Sequence, residues 1–327
     1  MKRYSKIILA ICALLFGISV FYVMLKSFSW QEVYDAIKLL SWTSLAVFMI
    51  AILTISVLKA IRFFIILRSG DLKVSFIKTI MIFISSQVFT PLPGGEIGRA
   101  VLFKNKLHLE MEQVATPVYL QAVIELWVAV FLALACIFFI KISFGIWFIV
   151  GLFLLITLLS VSIFIPKRLH DLLLLFKNKR LTYKWLDNLA QTLNSLEQFI
   201  VRKNGSVRFR LWMSIIFLGV ASNIVAGLLV WYIARTQGVN MSFFQSIFTA
   251  VMAALIQGIL FIIPGGLGIT EGGLIGVLTS FSVRFKKAVI ITLLFRAVML
   301  PLLIIVGLVF LLFLYIPNIL KNKKIHV

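Results

Sequence analysis

The feature that most constrains this chain is its set of long, uninterrupted apolar runs. A hydrocarbon core about 30 Å thick needs roughly 20 apolar residues in a helix. Residues 7–25, 42–61, 117–140, 144–165, 211–234 and 288–316 are runs of this kind. The 327 residues are 62% hydrophobic and 13% charged, which excludes an ordinary soluble enzyme. The sequence predicts an all-α polytopic membrane protein with about six full transmembrane helices in one integral membrane domain, 1–327. The first run follows three basic residues, but it is too long for a signal peptide, so we interpret it as a retained helix.

Two further apolar stretches, 74–92 and 243–263, each end in a proline and glycine cluster. Proline lacks a backbone donor and glycine weakens helices, so both segments should break there. A short apolar helix candidate follows each break, at 96–103 and 271–283. Broken backbone at membrane depth is tolerated where protein or a water-filled cavity satisfies its polar groups. We therefore predict two re-entrant hairpins, near 74–103 and 243–283; the alternative is a pair of surface loops.

The net charge of +21 is distributed unevenly along the predicted topology. With the N-terminus inside, 24 of the 32 basic residues lie on the inner side, seven lie outside, and Arg296 lies in the membrane. This bias follows the positive-inside rule. We predict a multi-pass protein of the cytoplasmic (plasma, or inner) membrane with both termini in the cytoplasm, and no nucleic-acid partner. The basic cluster at residues 284–287 is the exception, because it falls on the outer side.

One predicted hairpin enters from the cytoplasm and the other from outside, which suggests two halves of inverted topology, as in many secondary transporters. The halves are 1–165 and 211–327, and the sequence repeat between them is faint. Between them, 166–210 is a polar segment with apolar residues at helical spacing. It predicts an amphipathic helix on the cytoplasmic membrane face, with a partner-binding helix as the alternative.

Ionisable groups inside apolar segments are costly and are usually functional or paired. Arg62 lies near a helix end, so its side chain either snorkels to the interface or has a polar function. Glu125 follows Gln121 on its helix and is a candidate ion-pair partner. Arg296 lies about two turns inside the last apolar run, too deep for a flanking charge.

A helix that restarts inside the membrane exposes unpaired N–H groups and the positive end of its dipole, which favour an anion. With arginines nearby, such a site suits a phosphate or phosphodiester headgroup. Glu96 and Glu271 would orient the arginines, meet a cationic headgroup moiety, or carry protons. The predicted headgroup-binding residues are Arg62, Pro93, Gly94, Gly95, Glu96, Arg99, Glu125, Pro264, Gly265, Gly266, Gly268, Glu271 and Arg296. The sequence shows no P-loop, HExxH or CxxC motif, and we expect no catalytic residue, no metal and no cofactor.

Two motifs resemble those of a known family. Residues 90–99, TPLPGGEIGR, are similar to its first signature, and residues 263–273, IPGGLGITEGG, together with Arg296, are similar to its second. Arg62 resembles the arginine that ends the family's second helix. This is the lysylphosphatidylglycerol synthase transmembrane-region family of flippase-like proteins, related to the flippase part of the multiple peptide resistance factor. The family often carries an arginine and an aspartate on the helix after the first signature, where this chain has Gln121 and Glu125. The aminoacyl-transferase domain of full-length resistance factors is absent, so we do not expect lipid aminoacylation from this polypeptide.

The resemblance favours a lipid translocase that moves a phosphate-bearing or polyprenyl-phosphate-linked lipid between leaflets, passively or coupled to a gradient. The alternatives are an integral-membrane transferase acting on polyprenyl-phosphate sugars and a secondary transporter of a small anion. We favour transport over enzymatic activity. The expected partners are the bilayer and an anionic or polyprenyl-phosphate lipid. A second copy of the chain or an envelope-biosynthesis enzyme is a further candidate partner.

Overall fold

The computed structural model describes residues 38, 41–90, 95–140, 150–158, 205–259 and 268–323. Within these ranges the regular structure is helical and no strand occurs. Helices long and apolar enough to cross a bilayer are Trp42–Ser69, Gln113–Phe139, Phe209–Thr236 and Phe285–Leu314. The predicted all-α polytopic class is confirmed.

The first half of the described chain is a series of helices in the order long, short, short, long. Its members are α1 (Trp42–Ser69), α2 (Phe76–Ser85), a 3₁₀ turn (Ser86–Phe89), α3 (Gly95–Leu107) and α4 (Met111–Phe139). The side chain of Ser41 caps α1 by accepting a hydrogen bond from the Ser44 amide at 3.2 Å, which is the usual role of serine at this position. In chain order, a pair of short helices therefore stands between two helices that are long enough to cross a bilayer.

The second half repeats this order. Its members are α5 (Gly205–Thr236), α6 (Phe243–Ile259), α7 (Ile269–Ser280) and α8 (Phe285–Lys323). The short apolar helices predicted before each break are present as α2 and α6, and those predicted after each break are present as α3 and α7. The breaks themselves, 91–94 and 260–267, lie outside the described residues.

The connections of the two halves also correspond. Asp71 and Gly238 each lie two residues after a long helix and have φ of 60° and 68°. His108 and Ser282 each lie three residues before the next long helix and have φ of 54° and 62°. Residues with positive φ reverse the chain after a helix, so equivalent turns stand at equivalent places in the two halves.

The packing contacts relate the two halves as inverted copies. The hydroxyls of Ser44 and Tyr232 are 3.0 Å apart, whereas Arg62, further along α1, faces Gly219, earlier in α5. The two helices therefore run antiparallel. α4 packs against α6 as α8 packs against α2, and α3 packs against α4 as α7 packs against α8. These pairs are expected if the two four-helix units are related by an approximate two-fold axis that passes between α1 and α5.

Several sequence predictions fall outside the described residues. They include the first apolar run, 7–25, and the amphipathic helix up to residue 204. Of the run 144–165, residues 150–158 are described, and they are helical. The limits 1–165, 166–210 and 211–327 stay predictions, although α5 begins at Gly205, six residues earlier than the predicted run.

Candidate functional site

Arg62 is completely buried, with a relative exposure of 0%. Its Nε donates a hydrogen bond to Gln121 Oε1 at 3.0 Å, and its Nη2 donates one to Glu125 Oε2 at 2.9 Å. Both acceptors belong to α4. α1 continues to Ser69, so Arg62 lies about two turns before the helix end. These contacts exclude the snorkelling alternative and confirm Glu125 as an ion-pair partner.

Glu125 is shared between two cations of α1. Its second oxygen, Oε1, accepts a hydrogen bond from Lys59 Nζ, and Oε2 is bound by Arg62. The side chains of Lys59 and Glu125 are 29% and 27% exposed, in contrast to 1% for Arg62. We call Lys59, Arg62, Gln121 and Glu125 the α1/α4 cluster. Its edge at Lys59 and Glu125 is partly exposed, and its interior at Arg62 and Gln121 is buried.

The interior of the α1/α4 cluster contains two donors without acceptors. Within the described chain, neither Arg62 Nη1 nor Gln121 Nε2 has a hydrogen-bond partner, and both atoms are buried. A Cβ atom built on Gly219 of α5 would lie 2.9 Å from Arg62 Nη1. Buried polar groups are nearly always hydrogen-bonded, so these two unpaired donors are unusual and could serve an acceptor on a ligand.

A second polar group lies at the start of the short helix that follows the first break. Arg99 Nη1 donates to Glu96 Oε2 at 2.7 Å, and Arg99 Nε donates to Ser86 Oγ at 3.1 Å. The guanidinium also lies over the ring of Phe83, 4.7 Å from its centroid. A Cβ on Gly95 would collide with the carbonyl oxygen of Phe89, so glycine is needed where the hairpin closes. We call Glu96 and Arg99 the hairpin pair.

The second half holds a more deeply buried pair. Arg296 Nε donates to Glu271 Oε1 at 2.7 Å, and the backbone N–H of Gly268 donates to Glu271 Oε2 at 2.6 Å. Glu271 is 2% exposed and Arg296 is 8% exposed. Gly268 has φ of 83°, a conformation that favours glycine. Glu271 therefore both caps α7 and neutralises an arginine of α8; we call Glu271 and Arg296 the α7/α8 pair.

Two buried threonines accompany the α7/α8 pair. Thr270 precedes Glu271 on α7, and Thr292 lies one turn before Arg296 on α8. Their hydroxyls have no hydrogen-bond partner within the described residues. Each half of the site therefore combines a glutamate–arginine contact with unsatisfied polar atoms.

The flanks of both breaks approach the same part of α4. Arg99, just after the first break, lies close enough for its charge to act on Arg62 and Glu125. Gly258, just before the second break, packs against Leu126: a Cβ at this glycine would lie 2.5 Å from Leu126 Cδ2. The described flanks of the two breaks therefore lie near the turn of α4 that carries Glu125.

The structure places seven of the predicted site residues in these three groups. Arg62 binds Glu125, Arg99 binds Glu96, and Glu271 binds both Arg296 and the backbone N–H of Gly268. Five predicted residues lie outside the described part of the chain: Pro93, Gly94, Pro264, Gly265 and Gly266. Lys59 is not among the predicted site residues, because a lysine near the end of an apolar run is typical of a flanking charge; its spacing of three residues from Arg62 places both on one helix face.

The described ranges contain no group of three or more His, Cys, Asp or Glu side chains arranged to hold a metal ion. The polar atoms of the three groups are instead guanidinium, ammonium, amide and carboxylate. Such groups bind anions and ion-paired headgroups.

These features define a class of protein: a multi-pass helical membrane protein with arginine–glutamate pairs at the starts of its short helices. The chain belongs to the lysylphosphatidylglycerol synthase TM region family, whose sequence profile matches residues 9–307. The suspected resemblance is thereby confirmed, and membership suggests a flippase-like membrane function. No curated protein matches the chain.

Proposed function

We propose that this protein is a lipid translocase, which carries a phosphate-bearing or polyprenyl-phosphate-linked headgroup across the membrane between its two hairpins. The acyl or prenyl chains would stay in the bilayer while the head passes the polar groups described above. Family membership and the four crossing-length helices support the class of function. The lipid partner and the plasma-membrane location with cytoplasmic termini belong to the same proposal.

One observation carries it: each break is followed by a short helix whose first turn holds a glutamate bound by an arginine. These are Glu96 with Arg99, and Glu271 with Arg296. The positive end of a helix dipole and an arginine together favour an anion. The glutamate neutralises the arginine while no lipid is bound, so a phosphate can compete for a preformed cation instead of for an unpaired charge.

The inverted order of the two halves supports transport rather than simple binding. Alternating access in transporters with inverted repeats is largely rocking of one repeat against the other around a fixed site. Here α1 and α5 form the antiparallel contact between the halves, and Arg62 lies in that contact against Gly219. A relative movement of the halves would therefore open or close the α1/α4 cluster directly.

The test is reconstitution of purified protein into liposomes that contain a headgroup-labelled lipid. Dithionite quenches label in the outer leaflet, so translocation appears as complete quenching over time. We expect wild-type protein to accelerate quenching of labelled phosphatidylglycerol or of a labelled polyprenyl-phosphate lipid. Arg296→Gln should abolish this acceleration, whereas Arg284→Gln, which removes an exposed arginine just before the same helix, should not.

No acceleration over protein-free liposomes with either lipid would overturn the proposal. The alternatives have distinct readouts. A new covalent lipid product in membranes supplied with a sugar donor would indicate a transferase, and uptake of a water-soluble anion without lipid movement would indicate a small-anion transporter.

A further inference from the structure

The ionisable groups of the candidate site are unbalanced by one positive charge. The α1/α4 cluster, the hairpin pair and the α7/α8 pair together contribute four cations and three anions. The cations are Lys59, Arg62, Arg99 and Arg296, and the anions are Glu96, Glu125 and Glu271. The remaining apolar runs, 7–25 and 144–165, and both breaks, 91–94 and 260–267, contain no Asp, Glu, Lys or Arg. These segments therefore contribute no charge that would offset the surplus.

The surplus charge lies in the α1/α4 cluster. The α7/α8 pair has one arginine for one glutamate, and so has the hairpin pair. Glu125, in contrast, is the single carboxylate between Lys59 and Arg62. An uncompensated charge in a low-dielectric interior is strongly unfavourable, so this cluster favours a ligand with one negative charge.

The same cluster offers the donors such a ligand needs. Arg62 Nη1 and Gln121 Nε2 are both unpaired and buried. Their parent side chains are hydrogen-bonded to each other through Arg62 Nε and Gln121 Oε1, so both donors belong to one buried polar group. The half-open Lys59–Glu125 edge provides the side from which a headgroup enters.

We infer that the lipid recognised by this protein is a phosphodiester with a net charge of −1, whose phosphate oxygens accept hydrogen bonds from Arg62 Nη1 and Gln121 Nε2. Phosphatidylglycerol and sugar-linked polyprenyl phosphodiesters belong to this class. An aminoacylated lipid with a net charge of +1 does not, because it would raise the cluster to two uncompensated charges. This inference rests on the proposed function, but it concerns which headgroup is bound and not whether the headgroup crosses.

The test measures binding without vesicles, so it is independent of translocation. Purified protein in a neutral detergent is incubated with an equimolar mixture of phosphatidylglycerol, phosphatidylcholine and lysylphosphatidylglycerol, and bound lipid is quantified by native mass spectrometry. We expect phosphatidylglycerol to exceed each of the other two by about tenfold or more. A second arm adds excess inorganic phosphate: competition that leaves the protein lipid-free would assign the site to free phosphate and overturn the lipid assignment.

Gln121→Glu supplies the matching variant. It keeps the side-chain shape, removes the Nε2 donor and cancels the surplus charge, so the preference for phosphatidylglycerol over phosphatidylcholine should fall about tenfold. Gln237→Glu is the matched control, because Gln237 is also a buried glutamine with an unpaired Nε2 but lies beyond the end of α5. It should keep the wild-type preference.

Equal or stronger binding of lysylphosphatidylglycerol to the wild type would overturn the inference, whether or not any variant folds. An unchanged preference in a folded Gln121→Glu protein would do the same. The two proposals fail separately: selective binding of phosphatidylglycerol without translocation would contradict the transport proposal alone. Translocation with no charge preference in binding would contradict this inference alone.

Discussion

Replacing Glu271 by glutamine tests how the second half of the site is held together. The carboxylate accepts hydrogen bonds from Arg296 Nε at 2.7 Å and from the Gly268 amide at 2.6 Å. A glutamine oxygen can still accept the bond from Gly268, so the cap of α7 is largely kept. The negative charge is lost, and Arg296, only 8% exposed, loses its carboxylate partner.

Removing one member of a buried ion pair costs about 3–5 kcal/mol. We expect Glu271→Gln to lie near the lower limit, about 3 kcal/mol, because the cap survives. Glu96→Gln is the matched comparison, since Glu96 also lies in the first turn of a short helix and is bound by an arginine at 2.7 Å. The Glu96 side chain is 50% exposed, so its replacement should cost about 1 kcal/mol or less.

The assay is reversible unfolding in mixed micelles of dodecyl maltoside and sodium dodecyl sulfate, which gives a free energy of unfolding for each variant. Glu271→Gln combined with Arg296→Gln should cost less than the sum of the single changes by about 2 kcal/mol, because neither charge is then left without its partner. Equal losses at Glu271 and Glu96, or strict additivity in the double variant, would refute the claim that burial makes the α7/α8 pair the stronger one.

Three further predictions follow from the packing. Gly219→Ala should destabilise the protein by about 1–3 kcal/mol in the same unfolding assay, because the added methyl would lie 2.9 Å from Arg62 Nη1; a neutral effect would contradict the close contact. Arg99→Lys keeps the charge but loses the forked donors and the ring contact, so it should lower the free energy of unfolding by about 1–2 kcal/mol, and a loss no greater than that of Glu96→Gln would contradict this. Cysteines replacing Phe139 and Phe244, whose ring centroids lie 4.3 Å apart, should be joined by a bifunctional maleimide cross-linker and run as one band after cleavage of the chain between them; failure would contradict the α4–α6 pairing.

The helices of this protein could be predicted well from sequence, because the length and hydropathy of a continuous run of residues are enough to indicate a membrane-spanning helix. A run such as 42–61 is long and apolar, and the helix observed there, Trp42–Ser69, differs only in continuing past its last apolar turn. The pairing of buried charges could not be predicted in the same way. It depends on which faces of α1 and α4 meet, and hydropathy does not determine this.

Lys59 and Arg62 show where the sequence reasoning was incomplete. A basic residue near the end of an apolar run is compatible with snorkelling and with burial, and the two differ only when the partner helix is known. The carboxylate of Glu125, 66 residues after Lys59, decides between them. The α7/α8 pair was easier to anticipate, because Arg296 lies too deep in its helix to reach the interface.

The two halves are alike in backbone but differ at the position 25 residues after the glutamate of the short helix. Arg296 follows Glu271 by 25 residues, and Gln121 follows Glu96 by the same separation. In the second half, the long helix α8 therefore supplies the arginine that binds the glutamate of the short helix α7. In the first half the equivalent place holds a glutamine.

This exchange explains the arrangement of the first half. Without an arginine from α4, Glu96 binds Arg99 of its own helix, while Arg62 reaches from α1 into the space beside Gln121. The arginine then has more donors than its neighbours can accept, which leaves Nη1 unpaired. A scaffold with similar backbone in its two halves thus has one half whose buried charges are balanced and one half with one more cation than anion.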